Sequence, residues 1–120
     1  MDTTNLSLNI LDPAKEAEKN LYASTSYFVH RDFNFHHLEA DKGLGEILLY
    51  IHNNPSTRAY KMFEMLDLEP ICNTEFITLA INARLIKRYL GINSPWKKEP
   101  KGLYITDLGI QVLRQNGLLP

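Results

Sequence analysis

Apolar residues follow one rhythm through the middle of the chain and another near its end. Leu44, Ile47, Leu48 and Ile51 stand at the i, i+3, i+4, i+7 spacing that places side chains on one face of a helix. Ala59, Met62, Phe63 and Leu66 repeat that spacing, after Asn53-Asn54-Pro55-Ser56 has ended the first helix and capped the second. Asp67 to Asn73 contains Pro70 and reads as a turn, longer than the three or four residues usual between two such helices. Thr74 then caps a long helix predicted to run to Leu90, with Gly91 as its left-handed closing residue. At 100° per residue, Phe76, Leu79, Ala83, Ile86 and Leu90 form its core face. Thr74, Thr78, Arg84 and Arg88 lie toward the opposite side, with Asn82 at the edge, and Ile77, Ile81 and Leu85 make a second apolar stripe there.

Before these helices, Asp12-Pro13 joins a capping side chain to a proline at the first helical position, so a helix is predicted to begin there with Ala14, Ala17 and Leu21 as its stripe. The aromatic stretch from Tyr27 to Phe35 shows neither period and is compatible with more helix or with an extended strap. Its apolar side chains need a covering surface, for which a second subunit is a candidate. After Gly91, Ile92 to Trp96 and Gly102 to Thr106 are two short strand candidates around Lys97-Lys98-Glu99-Pro100-Lys101, a hairpin with a basic tip. Thr106 or Asp107 caps a last helix that uses Leu108, Val112 and Leu113 and ends near Asn116-Gly117.

Charge alters this picture more than composition does. The net charge is −1, yet residues 1–83 hold six Lys or Arg against twelve Asp or Glu, and residues 84–120 hold seven against two. A basic C-terminal third suggests a localised surface for a polyanion, because phosphate contacts supply most non-specific affinity for nucleic acid. A chain of 120 residues that is 44% hydrophobic and 22% charged is an ordinary globular mix. The longest apolar run, Ile47 to Ile51, is far short of a membrane span, and the start lacks the features of a signal peptide, so the expected location is the cytoplasm. Lone Cys72 can form no internal disulfide and reads as a small buried hydrophobe, as lone Trp96 reads as core.

The order of helix, helix, long helix and basic-tipped hairpin is accompanied by Tyr104, Ile105, Thr106, Gly109 and Leu113, and before them, at the end of the long helix, by Leu90-Gly91-Ile92. From Leu44 to Gln115 this resembles the winged helix-turn-helix family, in particular prokaryotic MarR-like and PadR-like regulators. The resemblance implies a mainly α fold with a small β-hairpin wing on residues 44–120, preceded by an extra helical or extended segment, residues 1–43, that could serve dimerisation. It implies a homodimeric transcriptional regulator of double-stranded DNA, neither enzyme nor cofactor-dependent, with any small-molecule effector unspecified. The helix 74–90 would read the major groove through Thr74, Thr78, Asn82, Arg84 and Arg88, and the wing would grip phosphates through Lys97, Lys98 and Lys101.

Other constellations are weaker. His30, His36, His37, Glu39 and Asp41 fall within twelve residues, but only His37 and Asp41 have helical i, i+4 spacing, and solvated or hydrogen-bonded side chains explain them better than a metal. No serine or cysteine is marked as a nucleophile, and Gly43-Leu44-Gly45 lacks the strand and third glycine of a dinucleotide loop. The competing reading is a protein-interaction module without DNA binding, using the stripe of Ile77, Ile81 and Leu85.

Overall fold

The computed structural model describes residues 11–24, 33–39, 43–68, 70–89 and 101–120. The elements are α1 (Pro13–Tyr22), α2 (Leu44–Asn53), α3 (Ala59–Leu66), α4 (Pro70–Asn82), β1 (Ile86–Tyr89), β2 (Gly102–Ile105) and α5 (Asp107–Gln115). The fold is mainly helical with one small antiparallel hairpin among the described residues. No helix among them is long and apolar enough to cross a membrane.

Local chemistry accounts for most of the boundaries. Asp12 caps α1 by accepting from the Lys15 amide, with Pro13 at the first position as predicted. The predicted stripes of α1 and α2, namely Ala14, Ala17, Leu21, Leu44, Ile47, Leu48 and Ile51, are all buried. Thr106 caps α5, its Oγ1 accepting from the Gly109 amide at 3.1 Å. That hydroxyl also donates to the Arg84 carbonyl at 2.6 Å, so the cap of the last helix holds the turn before β1. A Cβ on Gly109 would stand 2.3 Å from the Leu85 carbonyl oxygen, so only glycine lets α5 approach that turn.

The predicted helix from Thr74 to Leu90 is the main correction. It begins four residues earlier, with Pro70 as its first residue rather than as a turn breaker, so only residues 67–69 separate α3 from α4. It ends at Asn82. Arg84 enters the left-handed region at φ 63°, its amide donating to Ile81 O (3.0 Å), and the Leu85 amide to Ala80 O (2.9 Å). This is the paired closure usually built on glycine, here built on arginine, with Leu85 and Ala80 both buried beneath it. Chain beyond it is strand: Ile86 pairs with Ile105, Lys87 with Tyr104, Arg88 with Leu103 and Tyr89 with Gly102. The strand that pairs with 102–105 is 86–89; the predicted strand Ile92 to Trp96 lies outside the described residues, together with Leu90, Gly91 and the 25–32 stretch.

A third chain segment joins the hairpin. Thr57, between α2 and α3, forms an antiparallel bridge with Leu103: the Ser56 amide donates to Leu103 O (3.0 Å) and the Leu103 amide to Thr57 O (2.8 Å). Gly102 permits this approach, since a Cβ there would meet Ser56 O at 2.2 Å and its φ is +149°. One core runs through all of it, from Ala14, Leu21 and Phe35 through Ile47, Met62 and Leu79 to Leu103 and Leu113.

The N-terminal part is lashed to α5 by polar contacts. Gln115 donates from Nε2 to Asp12 Oδ1 (2.8 Å) and accepts the Ala14 amide at Oε1 (2.8 Å). Asn116 Nδ2 donates to Phe35 O (2.9 Å), and its Oδ1 accepts from the Leu38 amide (2.9 Å).

Candidate nucleic-acid interface

Helix α4 is apolar on more than one side, and its partners use that. Ile77, Leu79, Ala80 and Ala83 are buried, and Phe76 is half-buried with its ring edge toward Phe33 at 6.2 Å. The stripe of Ile77, Ile81 and Leu85 is thus no exposed surface: Ile77 and Leu85 are interior, Leu85 is off the helix, and Ile81 is half-buried. Among the described side chains of α4 the exposed ones are polar. Thr74 and Glu75 are exposed, and Thr78 and Asn82 half-buried, on one side of the helix. The acidic Glu75 among them was not singled out from the sequence.

Of the predicted contact residues, Thr74, Thr78 and Asn82 therefore share the accessible face of α4. Arg84 and Arg88 do not lie on that helix; Arg84 stands in the turn after it and Arg88 in β1. Lys97 and Lys98 lie outside the described residues, and Lys101 is exposed just before β2.

Arg88 and Lys101 meet a cation that sequence reasoning missed. Arg58, the residue before α3, lines with them one cleft of about 200 Å³, together with Tyr60 and Tyr89. Its position follows from the Thr57–Leu103 bridge, which brings the start of α3 against the hairpin. No local periodicity signals that long-range pairing; the only hint is an arginine directly before a helix start. The cap residue Arg58 offers no side-chain hydrogen bond to the first turn of α3, and Ala59 and Tyr60 of that turn line the same cleft. Arg58, Arg88 and Lys101 are exposed, and none forms an ion pair with an acidic side chain among the described residues. Tyr60 is 68% exposed beside them, and Tyr89 meets Tyr104 edge-on at 6.5 Å on the hairpin.

The histidine cluster resolves differently. His36 Nε2 contacts Asp12 Oδ1 at 2.9 Å, whereas His30 and Asp41 lie outside the described residues. No three potential metal ligands gather among those described. Hydrogen bonds from Gln115 and then His36 lower the Asp12 carboxyl to about 2. Comparisons of the chain with protein-family models, with curated proteins and with solved structures find no match.

Proposed function

We propose that this chain is a winged helix-turn-helix domain that binds double-stranded DNA as a homodimeric regulator in the cytoplasm. The order of elements supports this reading. Helices α2, α3 and α4 come first, with Thr57 as a one-residue strand between α2 and α3, a three-residue turn before α4, and the hairpin after it. In this reading α4 enters the major groove with Thr74, Thr78 and Asn82, while Arg88 and Lys101 of the wing, joined by Lys97 and Lys98, grip phosphates. Arg58 and the open first turn of α3 take a further phosphate. Two copies related by a two-fold axis would double the short stretch one module reads.

The observation that carries the proposal is the convergence of Arg58, Arg88 and Lys101, unneutralised by described acids, on one cleft between the start of α3 and the hairpin. Titration of a random duplex at rising salt tests it. Affinity should fall steeply, and the triple variant Arg58→Ala, Arg88→Ala, Lys101→Ala should reduce the slope of log K against log salt by about 2.7, roughly 0.9 for each phosphate contact. All three side chains are exposed, so the variant keeps its fold. Absence of binding at low salt, or an unchanged slope, would overturn the reading in favour of a protein-interaction module; such a module could not use the Ile77 and Leu85 stripe, which is interior.

A further inference from the structure

The cleft that gathers Arg58, Arg88 and Lys101 is more than a ring of cations. Tyr60 and Tyr89 line it as well, and Ala59, Gly102 and Leu103 supply surface without charge. A duplex held by its phosphates calls for charge and hydrogen-bond donors, not for aromatic rings. Tyr89 is half-buried and meets Tyr104 edge-on, so its ring belongs to the hairpin. Tyr60 differs: at 68% exposed it is the most accessible phenylalanine or tyrosine among the described residues.

Tyr60 also borders a second cleft, of about 570 Å³, together with Ala59, Phe63, Glu64, Asp67 and Leu68. Phe63 and Leu68 are buried there, whereas Glu64 and Asp67 are exposed and acidic. Ala59 and Tyr60 are the two residues common to both clefts. A phosphate is attracted to the first cleft and repelled from the second, while an uncharged base is repelled from neither. The Thr57–Leu103 bridge sets these components side by side, since it brings Arg58 and Tyr60 against the hairpin with Arg88 and Lys101.

We infer that this place binds an unpaired nucleotide of a DNA strand, its base stacked on the Tyr60 ring and its flanking phosphates held by Arg58, Arg88 and Lys101; this rests on the phosphate-binding role proposed above for the three cations. Cations that follow a backbone beside an exposed aromatic ring are the two components by which proteins hold single strands. Stacking needs a base with an open face, which a paired base inside a duplex does not offer. Every base has such a face, so Tyr60 selects an unpaired strand and not a sequence.

Fluorescence anisotropy of the full chain with three labelled probes separates the possibilities: a short oligothymidylate, a strand of the same length and phosphates that carries no bases, and a duplex. At equal salt, oligothymidylate should bind at least tenfold more tightly than the abasic strand. Tyr60→Ala should abolish that difference, whereas Tyr60→Phe, which keeps the ring, should preserve it. The side chain is exposed, so both variants keep their fold. Equal affinities of the wild type for the two strands, with the duplex still bound, would overturn the stacking and leave the phosphate-binding role standing. A difference that survives in Tyr60→Ala would do the same. Failure of all three probes to bind at low salt would overturn both.

Discussion

Asp67, Arg84 and Gly117 occupy the same backbone well, at φ 54°, 63° and 74°, and each closes a helix with the same pair of amide bonds. Only the third is the glycine that this geometry favours. For an L residue the left-handed region costs roughly 1–2 kcal/mol, and glycine's added freedom in the unfolded chain offsets part of what it would save. Arg84→Gly should therefore stabilise the protein by about 0.5 kcal/mol, seen as a higher urea midpoint at unchanged slope. A lower midpoint would mean that the arginine side chain holds the turn by contacts of its own. Gly102 presents the reverse case. Gly102→Ala drives a methyl into the Ser56 carbonyl and parts the Thr57–Leu103 bridge, with an expected loss of about 2–4 kcal/mol in the same measurement.

At the scale of elements, a 3.6-residue stripe made a helix legible, beside a capping side chain at α1 (Asp12, with Pro13) and α5 (Thr106), and without one at α2 (Leu44 to Ile51). Reading failed at α4, where a rule sought glycine as the stop and the chain used arginine. Residues 83–90 still matched a helical stripe, because Ala83 and Ile86 are buried in either conformation, and strand pairing with 102–105 decided between them. Side-chain types at the candidate interface were legible in the same partial way. Arg88 and Lys101 were recognised as anion contacts, but their meeting with Arg58 depends on a bridge between positions 57 and 103, which no local period encodes. The lash between α1 and α5 was equally silent in the sequence, and it makes a pH-dependent prediction. Asp12 is held at about 2 by Gln115 and His36, below its ordinary value of 3.8. A carboxyl lowered on folding adds stability above its unfolded value and loses it as pH falls through the folded one. Wild type should therefore lose stability between about pH 4 and pH 2 by this route. In thermal melts, Asp12→Asn should shrink that loss, and the gap between the two proteins should close near pH 2. A gap that stayed constant across the window would show that the carboxylate charge contributes nothing to the lash.

For the whole molecule, the acidic first two thirds and the basic last third are separate in sequence yet share one interior. Ala14, Ala17, Leu21 and Phe35 are each at most 1% exposed, and they belong to the same cluster as Leu48, Leu79 and Leu113. Removing residues 1–43 would uncover the faces of α4 and α5 that these side chains cover, and would strip Gln115 and Asn116 of partners at Asp12, Ala14, Phe35 and Leu38. Burial of a leucine or phenylalanine side chain is worth about 1.5–3 kcal/mol, so Leu21 and Phe35 alone contribute on the order of 5 kcal/mol. That is comparable with the whole stability of a small domain, about 5–15 kcal/mol. A fragment of residues 44–120 should therefore lose its sigmoidal urea transition, although the resemblance to a winged helix covers only that part. Should the fragment instead unfold cooperatively with the slope expected for its size, the first helix is an appendage to a self-sufficient domain, and its burial reflects docking rather than a shared core.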